Sequence, residues 1–149
     1  AQLAGEAARA AAFRVLLGHL PLYAVAEGRD RAGEVLDDAD ALRARLERLG
    51  VDLYISGHHH AFYPGRRGNL ELLHAGALGD GPRPLLGASG PSPRTVTIIE
   101  FDARARSMRY TTHVLRGSTL EATVDEALLP RRLEGHNGYV LRRDVREGG

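Results

Sequence analysis

The sequence predicts an α/β fold with parallel strands. Residues 13–17 and 51–56 are short apolar runs with the length and composition of buried strands. Between them, residues 39–49 place alanine and leucine at helical spacing. Strand, helix and strand in this order predict a βαβ unit, whose two parallel strands end at the same edge of a sheet.

The predicted helix carries signals at both of its ends. Asp37 and Asp38 offer N-cap side chains, and Gly50 suits the C-terminal cap. Residues 2–12 are rich in alanine and predict a further helix before the first strand. Residues 24–34 are polar and irregular, and they predict a loop.

More strands are predicted after the βαβ unit. Residues 66–69 predict a turn, followed by a strand over residues 70–75. Residues 95–101 and 108–115 are apolar runs separated by a polar segment, which predicts a hairpin. The intervening residues 76–93 are rich in glycine and proline and predict a loop.

The end of the chain predicts one helix and one short apolar patch. Ser118 and Glu121 match a capping box, so residues 120–129 are predicted to be a short helix that ends before Pro130. Residues 139–141 predict either a last edge strand or part of a flexible extension.

Composition excludes several kinds of site and partner. The chain has 149 residues, a net charge of +1 and 43% hydrophobic residues, which together predict one globular domain without a broad attraction to nucleic acid or membrane. It contains no cysteine, so disulfides and thiolate metal sites are excluded. No apolar run is long enough to span a bilayer. The location is unknown from these data, with the cytoplasm favoured.

Three consecutive histidines follow the second strand of the predicted βαβ unit. If the chain stays extended beyond Gly57, His58 and His60 point to one side and His59 to the other. Two imidazoles on one side suit one metal ion or two neighbouring ions, whereas a solvated histidine loop is the alternative. A surface position is expected for His59, with substrate contact as its alternative.

A fourth histidine is predicted to join this cluster. His19 follows Gly18 at the end of the first strand, and Pro21 keeps the chain extended there. Because parallel strands share one carboxyl edge, His19 is expected to meet the His58 and His60 pair. This edge is where open α/β sheets bind their ligands.

Further residues near this edge are weaker candidates for substrate binding. They are His59, His74, Tyr23 and Tyr63, with packing in the protein as the alternative for the last three. The loop over residues 76–81 and Arg83 after it offer amides and a guanidinium to a phosphate, although an ordinary turn and a solvated arginine explain them equally.

Two motifs give the chain a family resemblance. Gly18-His19-x-Pro21-x-Tyr23, followed after a helix by Gly57-His58-x-His60, resembles the second half of a calcineurin-like metallophosphoesterase. The continuation through Phe62 and Tyr63 is similar to the purple acid phosphatase branch, and the resemblance covers roughly residues 13–102. It implies the C-terminal half of an αββα sandwich with mixed β-sheets, over residues 1–116, and an extension with a helix and a tail over residues 117–149.

The resemblance also implies a site with two divalent metal ions, either manganese, iron or zinc. His19 and His58 would bind the second ion and His60 the first. The family's Asp-x-His motif is absent from this chain. Its Gly-Asp and Gly-Asn-His motifs have no counterpart in the right order, since Gly79-Asp80 and Gly135-His136-Asn137 come after the histidine motif. The chain is therefore expected to be a fragment that is inactive alone, with an exposed sheet edge through which it forms a homodimer.

The function that the resemblance implies for the parent protein is hydrolysis of phosphate mono- or diesters by a hydroxide activated between two metal ions. The principal alternative is a non-catalytic interaction domain with a degenerate phosphoesterase fold. A metal-binding module without catalysis is another. The metallo-β-lactamase pattern His-x-His-x-Asp-His is disfavoured, because Phe62 and Tyr63 stand where aspartate and histidine are required.

Overall fold

Two β-sheets organise residues 2–79 and 81–147, which the computed structural model describes. Both the mixed sheet and the predicted α/β class are confirmed. The larger sheet has six strands in the order β1 (Val15–Gly18), β2 (Leu53–Ser56), β4 (Leu70–His74), β3 (Tyr63–Arg67), β9 (Gly138–Arg142) and β8 (Arg132–Gly135). The smaller sheet is antiparallel and contains β5 (Thr95–Asp102), β6 (Ser107–Arg116) and β7 (Thr119–Thr123). The helices are α1 (Glu6–Ala10) and α2 (Ala39–Arg48), with 3-10 turns at Gln2–Ala4 and Glu126–Leu128.

The predicted βαβ unit is confirmed. Strands β1 and β2 are parallel, with Gly18 opposite Ser56, and α2 connects them. Gly50 follows the helix with a φ of 66°, the left-handed conformation that glycine adopts at helix ends without strain. Asp38 occupies the N-cap position, but its side chain makes no capping hydrogen bond. The predicted first helix is present only as the short α1 and the turn before it.

Strand β3 was not predicted, because Pro64 argues locally against a strand and because Arg66 and Arg67 fall within the predicted turn over residues 66–69. Pro64 nevertheless pairs with Leu73 in the antiparallel ladder between β3 and β4. The predicted strand over residues 70–75 is confirmed as β4, which also runs parallel to β2. The strand assignment of β3 therefore comes from pairing on both of its sides, with β4 and β9, rather than from local propensity.

The predicted hairpin is confirmed as β5 and β6, whose register runs from Thr95 opposite Val114 to Asp102 opposite Ser107. The predicted helix over residues 120–129 is wrong. Gly117 makes the turn with a φ of 59°, and the next residues form β7 on the free edge of β6. The capping box was a local signal, and pairing with β6 outweighed it. Only the 3-10 turn Glu126–Leu128 is helical in that segment.

The last strand of the chain lies inside the larger sheet. Strand β9 pairs with β3 on one side and with β8 on the other, so the predicted edge position is wrong and β8 is the edge strand. Arg67 of β3 stacks on the Tyr139 ring of β9 at 4.2 Å. The proposed boundary between residues 116 and 117 stays a prediction, although strands on its two sides pair with each other.

Both faces of the larger sheet are buried. Leu53, Phe62 and Leu73 pack with Tyr110 of β6, so the hairpin covers one face. On the other face, Leu46 of α2 joins a cluster with neighbours from β2, β3 and β4 and from the loop after β1. The layers are helix, sheet and sheet, which fits the predicted metallophosphoesterase-type sandwich. No helix among residues 2–79 and 81–147 is long and apolar enough to cross a membrane.

Candidate metal site

The carboxyl ends of β1 and β2 bring two predicted ligands together. Gly18 pairs with Ser56, and the Gly57 amide donates to the His19 carbonyl at 3.2 Å. The His19 Nε2 atom lies 3.1 Å from His58 Nδ1, although the two residues are 39 apart in the chain. The prediction that these histidines meet is confirmed for this pair. His19 is exposed and His58 is partly buried, so the pair is open to solvent.

The histidine loop is not extended, and the prediction of alternating side chains is wrong. His58 has a φ of 62° and His60 a φ of 54°. Non-glycine residues adopt this left-handed region rarely, and such strain is concentrated at functional sites. The His59 amide donates to the Gly57 carbonyl at 2.6 Å, which closes a tight turn. His58 contacts His19, whereas His60 contacts the Gly81 carbonyl, so different neighbours hold these two imidazoles.

His59 lies in the interior, so the surface position expected for it is wrong. Its exposed fraction is 0%. Its Nε2–H donates to the Glu34 carbonyl at 3.0 Å, and Nδ1 accepts from the Val25 amide at 3.3 Å. Burial is the largest cause that lowers the pKa of His59, to about 4, and the ring is therefore neutral at pH 7. A neutral ring with one donor and one acceptor satisfies both contacts.

His60 has one ring nitrogen available. Its Nδ1–H donates to the Gly81 carbonyl at 3.1 Å, which leaves the lone pair on Nε2. The Arg83 amide donates to the His60 carbonyl at 3.1 Å. These two bonds anchor His60 to the loop after β4. Asp80, part of the candidate phosphate loop, lies outside the described residues.

The other candidates for substrate binding are interior residues. His74, Tyr23 and Tyr63 are each exposed by 1% or less. His74 Nδ1–H donates to the Tyr63 carbonyl at 3.3 Å, and burial lowers the pKa of His74 to about 3. Burial likewise raises the pKa of both tyrosines, whose hydroxyls donate to Asp40 and to the Pro130 carbonyl. The positions of these three residues and of His59 give no support to substrate contact, and the packing alternative fits His74, Tyr23 and Tyr63.

Glu34 is a site residue that sequence reasoning missed. Its Oε2 atom lies 2.6 Å from His58 Nε2. Arg29 and Arg31 hold the same carboxylate, at 2.5 and 3.0 Å. The hydrogen bond from Arg29 is the largest cause that lowers the pKa of Glu34, to about 2, and the group is ionised. The sequence signal that could have indicated this residue is the close spacing of Arg29, Arg31 and Glu34. These residues lie in the segment 24–34, for which only a loop was predicted.

The His19 and His58 pair fits two ligands of one metal ion. Two nitrogens that each bind one ion at about 2.1 Å lie about 3.0 to 3.4 Å apart, and the observed separation is 3.1 Å. Within the described part of the chain, no group of three or more histidine, cysteine, aspartate or glutamate residues could hold an ion. The assignment of His19, His58 and His60 as ligands of a two-ion centre thus stays a prediction.

Gly18, which precedes His19, has no room for a side chain. A Cβ atom added there would overlap the hydroxyl of Tyr54, which donates to the Leu20 carbonyl at 2.7 Å. We expect Gly18→Ala to lower the free energy of unfolding by about 1 to 2 kcal/mol through this overpacking. Urea denaturation measures the change.

A matched control for Gly18→Ala is Gly57→Ala, because a Cβ at Gly57 meets nothing within 4 Å. That variant should stay within about 0.5 kcal/mol of the wild type. Adding Tyr54→Phe to Gly18→Ala removes the overlapping hydroxyl and should recover part of the loss. Equal stability of the two alanine variants would contradict the steric explanation.

One of three comparisons with known proteins agrees with the sequence motifs. Residues 5–62 match the family described as calcineurin-like phosphoesterase. This segment contains α1, β1, α2 and β2, together with four histidines, His19, His58, His59 and His60. The predicted family resemblance is thereby confirmed. Searches of curated proteins and of solved structures gave no significant match.

Proposed function

We propose, because residues 5–62 match the calcineurin-like phosphoesterase family, that this chain supplies histidine ligands to a metal-dependent phosphoesterase. The reaction is hydrolysis of phosphate mono- or diesters. The observation that carries the proposal is the approach of His19 Nε2 to His58 Nδ1, at the strand edge where both family motifs begin. A pair of imidazole nitrogens at ligand separation is the donor set that manganese, iron and zinc accept.

The chain's own residues would hold the ions through three nitrogens. His58 presents Nδ1 beside His19 Nε2, and His60 has its lone pair on Nε2. Two divalent ions, when bound, would supply a hydroxide at neutral pH and positive charge for the phosphate oxygens. The buried His59 anchors the histidine loop to the protein interior through its hydrogen bonds to the Val25 amide and the Glu34 carbonyl.

The chain alone is proposed to be inactive as a hydrolase. Its sequence lacks the Asp-x-His motif and the two other motifs that the family places before the histidine motifs. Three histidines do not complete two coordination spheres, since protein-bound ions of this kind need about four or more ligands each. Activity is therefore assigned to a protein in which those motifs are also present.

The test compares two forms of the protein with chromogenic phosphate mono- and diesters and Mn²⁺, Fe²⁺ or Zn²⁺. A form that also carries the three upstream motifs should hydrolyse at least one ester, and the 149-residue chain should not. His58→Ala in the active form should reduce hydrolysis by at least about 100-fold, because it removes a metal ligand.

The matched control is His113→Ala, because His113 lies on β6 in the smaller sheet. It should leave hydrolysis within about twofold of the wild type. Hydrolysis that survives His58→Ala would refute the assignment of His58. No hydrolysis of any ester with any of the three ions would instead favour a non-catalytic interaction domain.

A further inference from the structure

We propose that Glu34 is a positioning residue that fixes the tautomer of His58 and so presents His58 Nδ1 to a metal ion. This inference rests on the proposed function for the identity of the ligand. Glu34 belongs to the segment between β1 and α2, and neither family motif includes it.

The first step is the placement of one proton. The Glu34 carboxylate only accepts hydrogen bonds, and its Oε2 lies 2.6 Å from His58 Nε2. His58 must therefore carry its proton on Nε2. The lone pair then lies on Nδ1, the atom that faces His19 Nε2 at 3.1 Å. In the metal-free chain, His19 Nε2–H donates to this lone pair, and a metal ion would take the place of that proton.

The second step is the rigidity of the carboxylate. Glu34 is 9% exposed, and Arg29 and Arg31 bind its two oxygens at 2.5 and 3.0 Å. The guanidinium of Arg29 is itself 24% exposed, so this contact is partly shielded from solvent. Two arginines and one histidine on a single carboxylate hold its direction. An oriented carboxylate behind a metal-binding histidine raises the basicity of the ligand and holds its ring plane.

The third step is the second contact of the same residue. The main-chain carbonyl of Glu34 accepts from His59 Nε2 at 3.0 Å, while its side chain accepts from His58. One residue thus binds two successive imidazoles of the loop. His58 has a left-handed φ of 62°, and such a conformation persists only where surrounding contacts hold it. Glu34 provides two of these contacts.

The test uses Glu34→Gln, which keeps the shape of the side chain and the main-chain carbonyl. Long-range ¹H–¹⁵N NMR at about pH 8, where free histidine is neutral, reports the tautomer of each ring. The metal-free wild type should show His58 protonated on Nε2, and the variant should show a mixture of both tautomers. His59 is the internal control, and it should stay protonated on Nε2 because its acceptor is the main chain.

The second readout is the affinity for Zn²⁺, measured by calorimetry on the same chain. Glu34→Gln should raise the Kd by about 10-fold or more. Asp30→Asn is the matched control, since Asp30 accepts from His136 Nδ1 at 2.6 Å and forms the same kind of pair away from His58. Its Kd should stay within about twofold of the wild-type value.

The NMR and calorimetry results each decide one part of the proposal. An unchanged His58 tautomer in Glu34→Gln overturns the positioning role, and so does an unchanged Kd. A wild-type chain that binds no Zn²⁺ overturns the assignment of His58 Nδ1 as a ligand. Glu34-dependent Zn²⁺ binding, combined with no ester hydrolysis in the form that carries all motifs, supports this inference and refutes the proposed function.

Discussion

Arg142→Ala is expected to lower the free energy of unfolding by about 3 kcal/mol. Arg142 lies on β9 and is 6% exposed. Its Nη1 donates to the carbonyls of Ala127 and Leu129 at 2.8 and 2.6 Å, and its other nitrogens bind Asp144. Removing the guanidinium leaves both carbonyls without this donor and opens a cavity in the larger sheet.

The two carbonyl contacts should dominate the Arg142 effect. The Asp144 side chain is 59% exposed, so water replaces its lost partner at little cost. Asp144→Ala should therefore cost less than about 1 kcal/mol. Arg146→Ala, at an exposed position, is the matched control and should change stability by less than about 0.5 kcal/mol. A loss in Asp144→Ala as large as that in Arg142→Ala would contradict this division.

The second large expected effect is that the free energy of unfolding falls in acid because His74 is buried. The folded protein holds the pKa of His74 at about 3, whereas unfolded histidine has a pKa of about 6.5. Between these values the unfolded state binds the extra proton. The stabilisation is complete above about pH 6.5 and is lost as the pH falls. His74 alone should remove about 2 kcal/mol between pH 7 and pH 5.

Burial of His59 acts in the same direction, because its pKa in the folded protein is about 4. Urea denaturation at a series of pH values measures the combined slope. His74→Asn keeps a side-chain donor for the Tyr63 carbonyl and removes the titrating ring, so its stability should fall less steeply between pH 7 and pH 5. His113→Gln, on the smaller sheet, should retain the full slope. An identical slope in wild type and His74→Asn would contradict the assignment to His74.

The site was predictable to the extent that parallel strands determine which residues are neighbours. A strand, a helix and a strand are visible from composition and spacing, and they place His19 and His58 at one edge. The loop beyond Gly57 was not predictable in this way. An extended chain would separate the histidines by alternation, whereas the observed loop, with left-handed φ values at His58 and His60, is held by contacts with Glu34, Gly81 and Arg83.

Strands β3 and β7 show the same difference between what local sequence predicts and what strand pairing decides. Pro64 argues locally against a strand, yet β3 forms because β4 and β9 pair with it. The capping box at Ser118 and Glu121 argues locally for a helix, yet β7 forms on β6. In both segments a partner strand supplies hydrogen bonds and packing that exceed the small differences in intrinsic propensity.

The sequence by itself determined the α/β class, the βαβ unit, the hairpin and the two histidine motifs, because these follow from periodicity and spacing along the chain. The tertiary structure decided that His59 and His74 are buried, and that Glu34 binds His58. Burial and hydrogen bonding between segments depend on which surfaces meet, and the spacing of Arg29, Arg31 and Glu34 does not record which histidine Glu34 contacts. The carboxylate that orients the candidate ligand is therefore visible only in the folded chain.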